Sequence, residues 1–369
     1  MILKNCTFFN EVFEKEFGDI KIENGKIEAI GYFDGDGVDM SGRIILPGFV
    51  DIHIHGGGGG DFSDGKPDAF DSISTYLARH GVTSFCGTTM TLPQDRLLGI
   101  VKAAESYTAP KAKLVGINLE GPYIALGKKG AQKAEYVRPC SKAELDELTA
   151  ACGKIKLITV APEASDSADF IKYASKKMTV SIGHSEADEA ECNTAIANGI
   201  THATHLFNAM TPMTHRSAGI VGAALDSDIT CELICDGAHI CPTVLRNAFK
   251  ILGEDRACVI SDSMRAAGLG SGEFELGGQT VYVRENGKTA VLPDGTIAAS
   301  ITNLFDEFKN LLDFGIDFKS ALKACTINPA RVIGEDKNIG SIAPNKCADL
   351  LVLSENLELE KVYINGILA

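Results

Sequence analysis

The chain has 369 residues, 45% of them hydrophobic and 23% charged, a balance that supports a folded core and argues against disorder. Its 49 acidic residues outnumber the 35 basic ones, giving a net charge of −14. That excludes nucleic acid and anionic membranes as general partners, and it leaves an anionic ligand only where cations cluster locally.

The start, "MILKNCTFFNEVFEKEFGD", carries no apolar leader, and no run approaches the roughly 18 apolar residues of a membrane helix. The 11 cysteines are scattered, without a CxxC, and several sit in strand-like runs. A reduced, cytoplasmic protein without disulfides is expected. The length exceeds a single core of about 250–300 residues, so one large domain and a smaller one are expected.

Residues 1–47 read as short strands, with "FGDIKIENGKIEAIG" alternating about Asn24-Gly25 in a hairpin signal. Strand-like runs then recur at 48–55, 83–90, 113–121, 154–163, 178–185, 200–210, 228–237 and 256–264, with helical segments such as "KPDAFDSISTYLARHG" between them. Eight β-then-α units predict an α/β fold of the (β/α)8 TIM-barrel type over 48–340, with a doubly wound open sheet as the alternative. The last stretch, 341–369, returns to strands with a turn at Asn365-Gly366. It joins the first 47 residues in one small β domain.

The chemistry gathers at the C-terminal ends of the predicted strands: His53, His55, Glu120, His184, His205, His239 and Asp262. In a barrel these ends share one mouth. His53 and His55, two apart on a strand, share a face, with Ile52 and Ile54 expected outward under the helices. Neutral imidazoles beside a buried carboxylate suit a divalent metal. Asp262 in "VISDSM" could be a ligand, a helix cap or a general base; beside five candidate ligands it reads as the base. The glycines of "HGGGGGDF" lack the Gly-Lys-Ser/Thr of a phosphate loop and read as a close-approach loop. His80 reads as a helix C-cap, His202 as facing the helices, and His215 as either a solvated loop residue or an aid to phosphate binding.

The motifs "PGFVDIHIHGG", "NLEGPYI", "GHSEA", "THLFNAM", "CDGAHICP", "SDSMRAAG", "DGTIAAS" and "NPAR" resemble, in order and spacing, the N-acetylglucosamine-6-phosphate deacetylases of the amidohydrolase superfamily. The resemblance covers nearly the whole chain. It implies a metal-dependent barrel with a small β-sandwich from both termini, and hydrolysis of the N-acetyl group of N-acetyl-D-glucosamine 6-phosphate. It also implies that Glu120, His184 and His205 hold the main metal, and that His53 and His55 hold a second with Glu120 bridging.

Zinc or iron is the expected ion, with manganese or cobalt also suited to these ligands. By the same resemblance Asp262 is the catalytic acid/base. Asn208, Ala209, Arg216 and His239 bind phosphate, Arg216 reaching over from the second subunit of a homodimer. Ala131 and Gln132 contact the sugar, and Ile297, Ala298 and Ala299 form a loop over it. Three departures touch sugar contacts: Gln132 where some members have histidine, Ala299 where glycine is common, and "HRSAG" in place of "REPG". The galacto epimer, a lysine-bridged cyclic-amide hydrolase or deaminase, and a non-catalytic scaffold are the competing readings.

Overall fold

The computed structural model describes residues 1–285 and 287–369. Near the N-terminus, β1 (Ile2–Phe9), β2 (Lys15–Glu23), β3 (Lys26–Gly31), β4 (Val38–Asp39) and β5 (Arg43–Pro47) build one half of a mixed sheet. β2 and β3 pair across Asn24 and Gly25, whose φ angles of 50° and 78° are those of the tight turn that Asn-Gly favours.

Eight parallel strands then alternate with helices. β6 (Phe49–Ile54) leads to α1 (Pro67–Arg79), β7 (Val82–Thr89) to α2 (Gln94–Ser106), β8 (Lys113–Glu120) to α3 (Lys142–Ala151) and β9 (Ile155–Val160) to α4 (Ser167–Ala174). β10 (Thr179–Ile182) leads to α5 (Glu189–Asn198), β11 (Ile200–Ala203) to α6 (Gly219–Asp226) and β12 (Thr230–Leu233) to α7 (Pro242–Arg256). β13 (Ala257–Val259) is followed by an antiparallel insertion, β14 (Gly272–Leu276), β15 (Gln279–Val283), β16 (Thr289–Val291) and β17 (Ile297–Ser300), before α8 (Leu304–Asp313). Two further helices, α9 (Phe318–Cys325) and α10 (Ile327–Val332), precede the last strands.

The parallel sheet runs in sequence order from β6 to β13. Beyond its ladders, the Asp262 amide donates to the His53 carbonyl (3.0 Å) and the His55 amide to the Ser263 carbonyl (2.9 Å), so the segment after β13 lies against β6 and the sheet curls on itself.

The last strands, β18 (Leu350–Ser354), β19 (Leu359–Ile364) and β20 (Ile367–Leu368), join the N-terminal ones through β18 against β5. One core holds them together: Leu3, Phe8, Ile20 and Ile27 pack with Leu350, Val352 and Tyr363. The two Asn-Gly tips meet around Ala348, whose amide donates to the Gly25 carbonyl (2.9 Å) and whose carbonyl accepts from Gly366 (2.8 Å).

The expectation for Ile52 and Ile54 needs correction. The β6–β7 register shifts between Asp51 and Ile54, a bulge that breaks strand parity. Phe49 stacks on Phe305 and packs at a tilt against Phe308 of α8, and Ile54 joins Phe62 and Phe70 under the helices. Ile52, with Val50, Cys86, Leu157, Ile234 and Ile260, belongs to a separate small core closed by Ala330, Ile333 and Ile339. Cross-strand side chains of this kind are what fill a barrel's interior. The insertion β14–β17 was also not anticipated, although Gly277-Gly278 between two alternating runs is a hairpin signal.

Candidate active site

The strand ends deliver the predicted residues to one place. His184, His205 and Asp262 all have positive φ (48°, 28° and 46°), a backbone state that costs a non-glycine residue about 1–3 kcal/mol and persists where the surroundings enforce it. Each lies just past its strand, where the turn swings the side chain over the mouth.

Two sets of potential ligands result, His53–His55–Glu120 and Glu120–His184–His205, with the donor atoms of each set within 4.8 Å of one another. Glu120 Oε1 is 2.9 Å from His184 Nε2, 3.1 Å from His205 Nε2 and 3.5 Å from His53 Nε2; Oε2 is 3.3 Å from His55 Nε2. Asp262 Oδ1 lies 3.4 Å from His55 Nε2 and 3.7 Å from His53 Nε2.

The far ring nitrogens explain the orientation. His53 Nδ1 meets Glu232 Oε2 (2.9 Å), His55 Nδ1 the Thr88 carbonyl (3.3 Å) and His184 Nδ1 the Lys128 carbonyl (2.7 Å). All three partners are acceptors, so each Nδ1 carries the proton and each Nε2 turns a lone pair inward.

These residues fit a divalent cation. His53 Nε2 is buried without a hydrogen-bond partner among the described residues, and the Nε2 atoms of His184 and His205 stand 3.0 Å apart beside one carboxylate oxygen. With the His184 proton held at Nδ1, its Nε2 lone pair faces His205 Nε2, a position the two rings can share around a cation. Burial opposes charge on His55, yet Asp262 and Glu120 push its pKa up to about 10, so the cluster favours positive charge. For His53 burial is likewise outweighed, chiefly by Glu232, and its pKa lies well above the usual value. A divalent metal supplies the same charge with His–carboxylate ligation.

Above the cluster opens a cavity of about 430 Å³, within the range of small-ligand sites. His55, Glu120, Ala131, Gln132, His184, His205, Asn208, Ala209, His239, Asp262, Ile297 and Ala298 line it. His53 lies fully buried beneath, and Ala299 is buried behind Ala298. Arg216 is outside the cavity, on the exposed loop between Thr211 and Ala218 together with His215. His239 is fixed by Asp236, which accepts from its Nδ1 (2.7 Å) and its backbone amide (2.9 Å). Burial lowers the His239 pKa, but Asp236 outweighs it, so the net direction is upward from 6.5. The Asn208 amide group donates to the His205 and Leu206 carbonyls at 3.3 and 3.4 Å.

His80 caps α1 through Nδ1 on the Tyr76 carbonyl (2.8 Å), as expected. His202 does not line the cavity; it is buried on β11, bonded to Thr230 Oγ1 (2.6 Å) and Glu232 Oε1 (3.2 Å). Glu232 is the residue that motif reading passes over. It ties His53, His202 and the His205 amide (2.9 Å) together in a fully buried position. The signal was an acid inside the apolar run "CELIC". Asp236 was likewise overlooked, three residues before a histidine that needed an acceptor.

The amidohydrolase family profile matches residues 44–368. The chain belongs to the amidohydrolase family. Within the family it is 36% identical to the N-acetylglucosamine-6-phosphate deacetylase of Bacillus subtilis, over 98% of this chain and 94% of that protein. It is 31% identical to the N-acetylgalactosamine-6-phosphate deacetylase of Escherichia coli O157:H7, covering 95% and 94%. Its fold superimposes with a TM-score of 0.92 on an Asp-to-Ala variant of the Mycobacterium smegmatis N-acetyl-D-glucosamine-6-phosphate deacetylase in complex with N-acetyl-D-glucosamine 6-phosphate, at 28% identity over 100% of this chain and 98% of the other. A His/Glu centre suited to a divalent metal, beneath a cavity of substrate size, is what this amidohydrolase presents at its strand ends.

Proposed function

We propose that this amidohydrolase removes the acetyl group of N-acetyl-D-glucosamine 6-phosphate, giving D-glucosamine 6-phosphate and acetate. The observation that carries the reading is the juxtaposition of Asp262 with the Glu120-centred imidazoles at the floor of a cavity whose wall holds the His239–Asp236 pair. The high-coverage similarity to deacetylases of phosphorylated amino sugars supports it.

The ion, zinc or iron, with manganese or cobalt also suited, would be held by Glu120, His184 and His205. A second would sit at His53 and His55 with Glu120 shared. Such an ion lowers the pKa of bound water and polarises the acyl oxygen. Asp262 takes the proton of the attacking water as its oxygen bonds to the acyl carbon. It returns that proton to the nitrogen as the carbon–nitrogen bond breaks, so acetate and the free amine leave.

Protonated His239, held by Asp236, and the amides near Asn208 and Ala209 anchor the phosphate away from the reacting bond. That remote binding would position the amide beside Asp262 and the Glu120-centred imidazoles. Ala131, Gln132 and the segment Ile297, Ala298 and Ala299 enclose the sugar. Arg216, exposed on its loop, completes the phosphate site of a second copy in a homodimer. We read the curled sheet as a (β/α)8 barrel over 48–340, with 1–47 and 341–369 as a two-part β-sandwich domain, in a cytoplasmic enzyme. No helix among the described residues is long and apolar enough to cross a membrane.

A lysine-bridged hydrolase or deaminase is disfavoured, because Lys156 Nζ pairs with Glu335 (2.9 Å) and Lys154 Nζ with the Ala104 carbonyl (2.8 Å), neither at the cavity. The galacto epimer stays as the second reading, favoured by the N-acetylgalactosamine-6-phosphate deacetylase relative. Acetate release by zinc- or iron-loaded enzyme from the gluco phosphate, the galacto phosphate and the unphosphorylated sugar tests all of this. Release from the gluco phosphate alone is expected, and release from none of the three refutes the reading.

A further inference from the structure

We infer that Gln132 is a positioning residue for Glu120, and that it governs how firmly the His53/His55 half of the centre holds a metal ion. The inference rests on the metal-dependent reading above and deepens it.

The two oxygens of Glu120 face different partners. Oε1 looks toward His184 and His205 (2.9 and 3.1 Å), while Oε2 looks toward His55 (3.3 Å) and toward the side-chain nitrogen of Gln132 (2.5 Å). The plane of the carboxylate therefore decides whether the His55 side meets an oxygen at all.

Gln132 is 2% exposed, and both ends of its amide are engaged. Its oxygen accepts from the Thr91 backbone amide (2.6 Å), so the opposite end must be the NH2 group, and that end donates to Glu120 Oε2. A flipped amide would set N–H against N–H and oxygen against carboxylate, so the orientation follows from the partners. Thr91 closes a ring of three bonds by donating its hydroxyl to the Glu120 carbonyl (3.1 Å). Backbone and carboxylate of Glu120 are thereby referred to the same residue.

Two effects of this bond oppose each other. Donation to Oε2 withdraws charge and weakens that oxygen as a ligand, but it also holds the carboxylate turned toward His55. A carboxylate oxygen has two lone-pair sites and can accept and ligate at once. Removing a group that orients a ligand costs about 10- to 100-fold in metal affinity. Orientation therefore prevails. The loss falls on the His53/His55 half, because His184 is held independently by the Lys128 carbonyl (2.7 Å).

The test uses the full chain stripped of metal and titrated with Zn2+ against a chromophoric chelator, with bound zinc counted after gel filtration and thermal melts run on every variant. Gln132→Met keeps the length without the donor, and Gln132→Ala removes the side chain at the cavity wall. Gln132→His restores one acceptor nitrogen for Thr91 and one N–H for Glu120. Wild type is expected to take two Zn2+ of unequal affinity. Met and Ala weaken the weaker site by about 10- to 100-fold and leave the tighter one within about 3-fold, and His recovers most of the loss.

Unchanged zinc binding in folded Met and Ala variants overturns the inference and leaves Gln132 a substrate contact only. So does an equal loss at both sites, a His variant that behaves like Met, or a wild type with a single zinc site. A wild type that binds no Zn2+ at all brings down the metal-dependent reading itself, which separates the two failures.

Discussion

Glu232 and His53 form a fully buried ion-pairing contact, with Oε2 2.9 Å from Nδ1 and neither side chain reaching solvent. The same carboxylate oxygen accepts the His205 backbone amide at 2.9 Å, so one acid on β12 aligns a residue from each ligand set. Burial raises the cost of its charge, but His53 and His202 outweigh it and hold the carboxyl well below the usual range.

Glu232→Gln keeps the shape and loses the charge. A second-row carboxylate behind a ligating histidine is worth about 10- to 100-fold in metal affinity. The variant should retain less zinc at matched free metal, and acetate release should fall by a similar factor. Metal analysis beside kinetics checks this, and full zinc content with full activity would show that His53 needs no charged acceptor.

Asp262→Asn separates base from ligand. Asp262 belongs to neither of the two ligand sets, although Oδ1 sits 3.4 Å from His55. Loss of a general acid/base lowers kcat by about 10²- to 10⁴-fold. The expected outcome is a chain with wild-type zinc content, little change in KM and that drop in kcat. Zinc lost in step with activity would instead make Asp262 a ligand.

How much of this was legible in the amino-acid order depended on whether a property was local. His53 and His55 announce themselves by spacing, and Glu120, His184, His205 and Asp262 by ending apolar runs. Strand parity holds only in an unbroken ladder, so the bulge after Asp51 sent Ile52 and Ile54 to different cores. Glu232 was hidden because its partners, His53 and His202, lie on other strands. The hairpins at Asn24-Gly25 and Asn365-Gly366 could be read from two residues each. The shared core of Leu3 and Leu350 is a long-range relation, and like composition at the two ends was its only trace. Arg216 was named from its motif, yet it is exposed and does not line the cavity of its own chain.

The His239–Asp236 pair gives the reaction a pH dependence. Burial disfavours charge on His239, but the 2.7 Å bond to Asp236 prevails and its pKa is raised from 6.5. An imidazolium binds a phosphate dianion more tightly than a neutral ring. Affinity for the phosphorylated sugar should therefore be greatest where the phosphate is a dianion and His239 is still charged, and decline as pH rises through the raised value. Asp236→Asn removes the cause of the rise, so the decline should move to lower pH. His239→Asn should raise KM by about 10- to 100-fold, the worth of a charge-assisted hydrogen bond. KM against pH for the three enzymes checks this; an unshifted profile in Asp236→Asn would place the titrating group elsewhere.

Glu307 on α8 offers a test of stability rather than turnover. It is fully buried; Oε2 accepts the Cys235 amide at 3.1 Å, and Oε1 has no hydrogen-bond partner among the described residues. Asn310 one turn on donates to the Cys235 carbonyl at 3.2 Å, so α8 grips the peptide that precedes Asp236. Burial, reinforced by the charge of Asp236, pushes the Glu307 pKa well above 4.5, so the fold favours its neutral form. For an acid raised by folding, the stabilising effect is complete below the unfolded value. It is lost as pH climbs toward the folded value, at about 1.4 kcal/mol per pH unit inside that window. Glu307→Gln has no proton to lose and can still accept from Cys235. Its stability relative to wild type should therefore improve steadily from pH 5 upward, measured by urea unfolding at fixed zinc. Glu307→Leu strands the Cys235 amide and should cost about 1–3 kcal/mol relative to Glu307→Gln at every pH. Parallel curves for wild type and Glu307→Gln would mean that the carboxyl is already ionised in the fold, against the neutral state its surroundings impose.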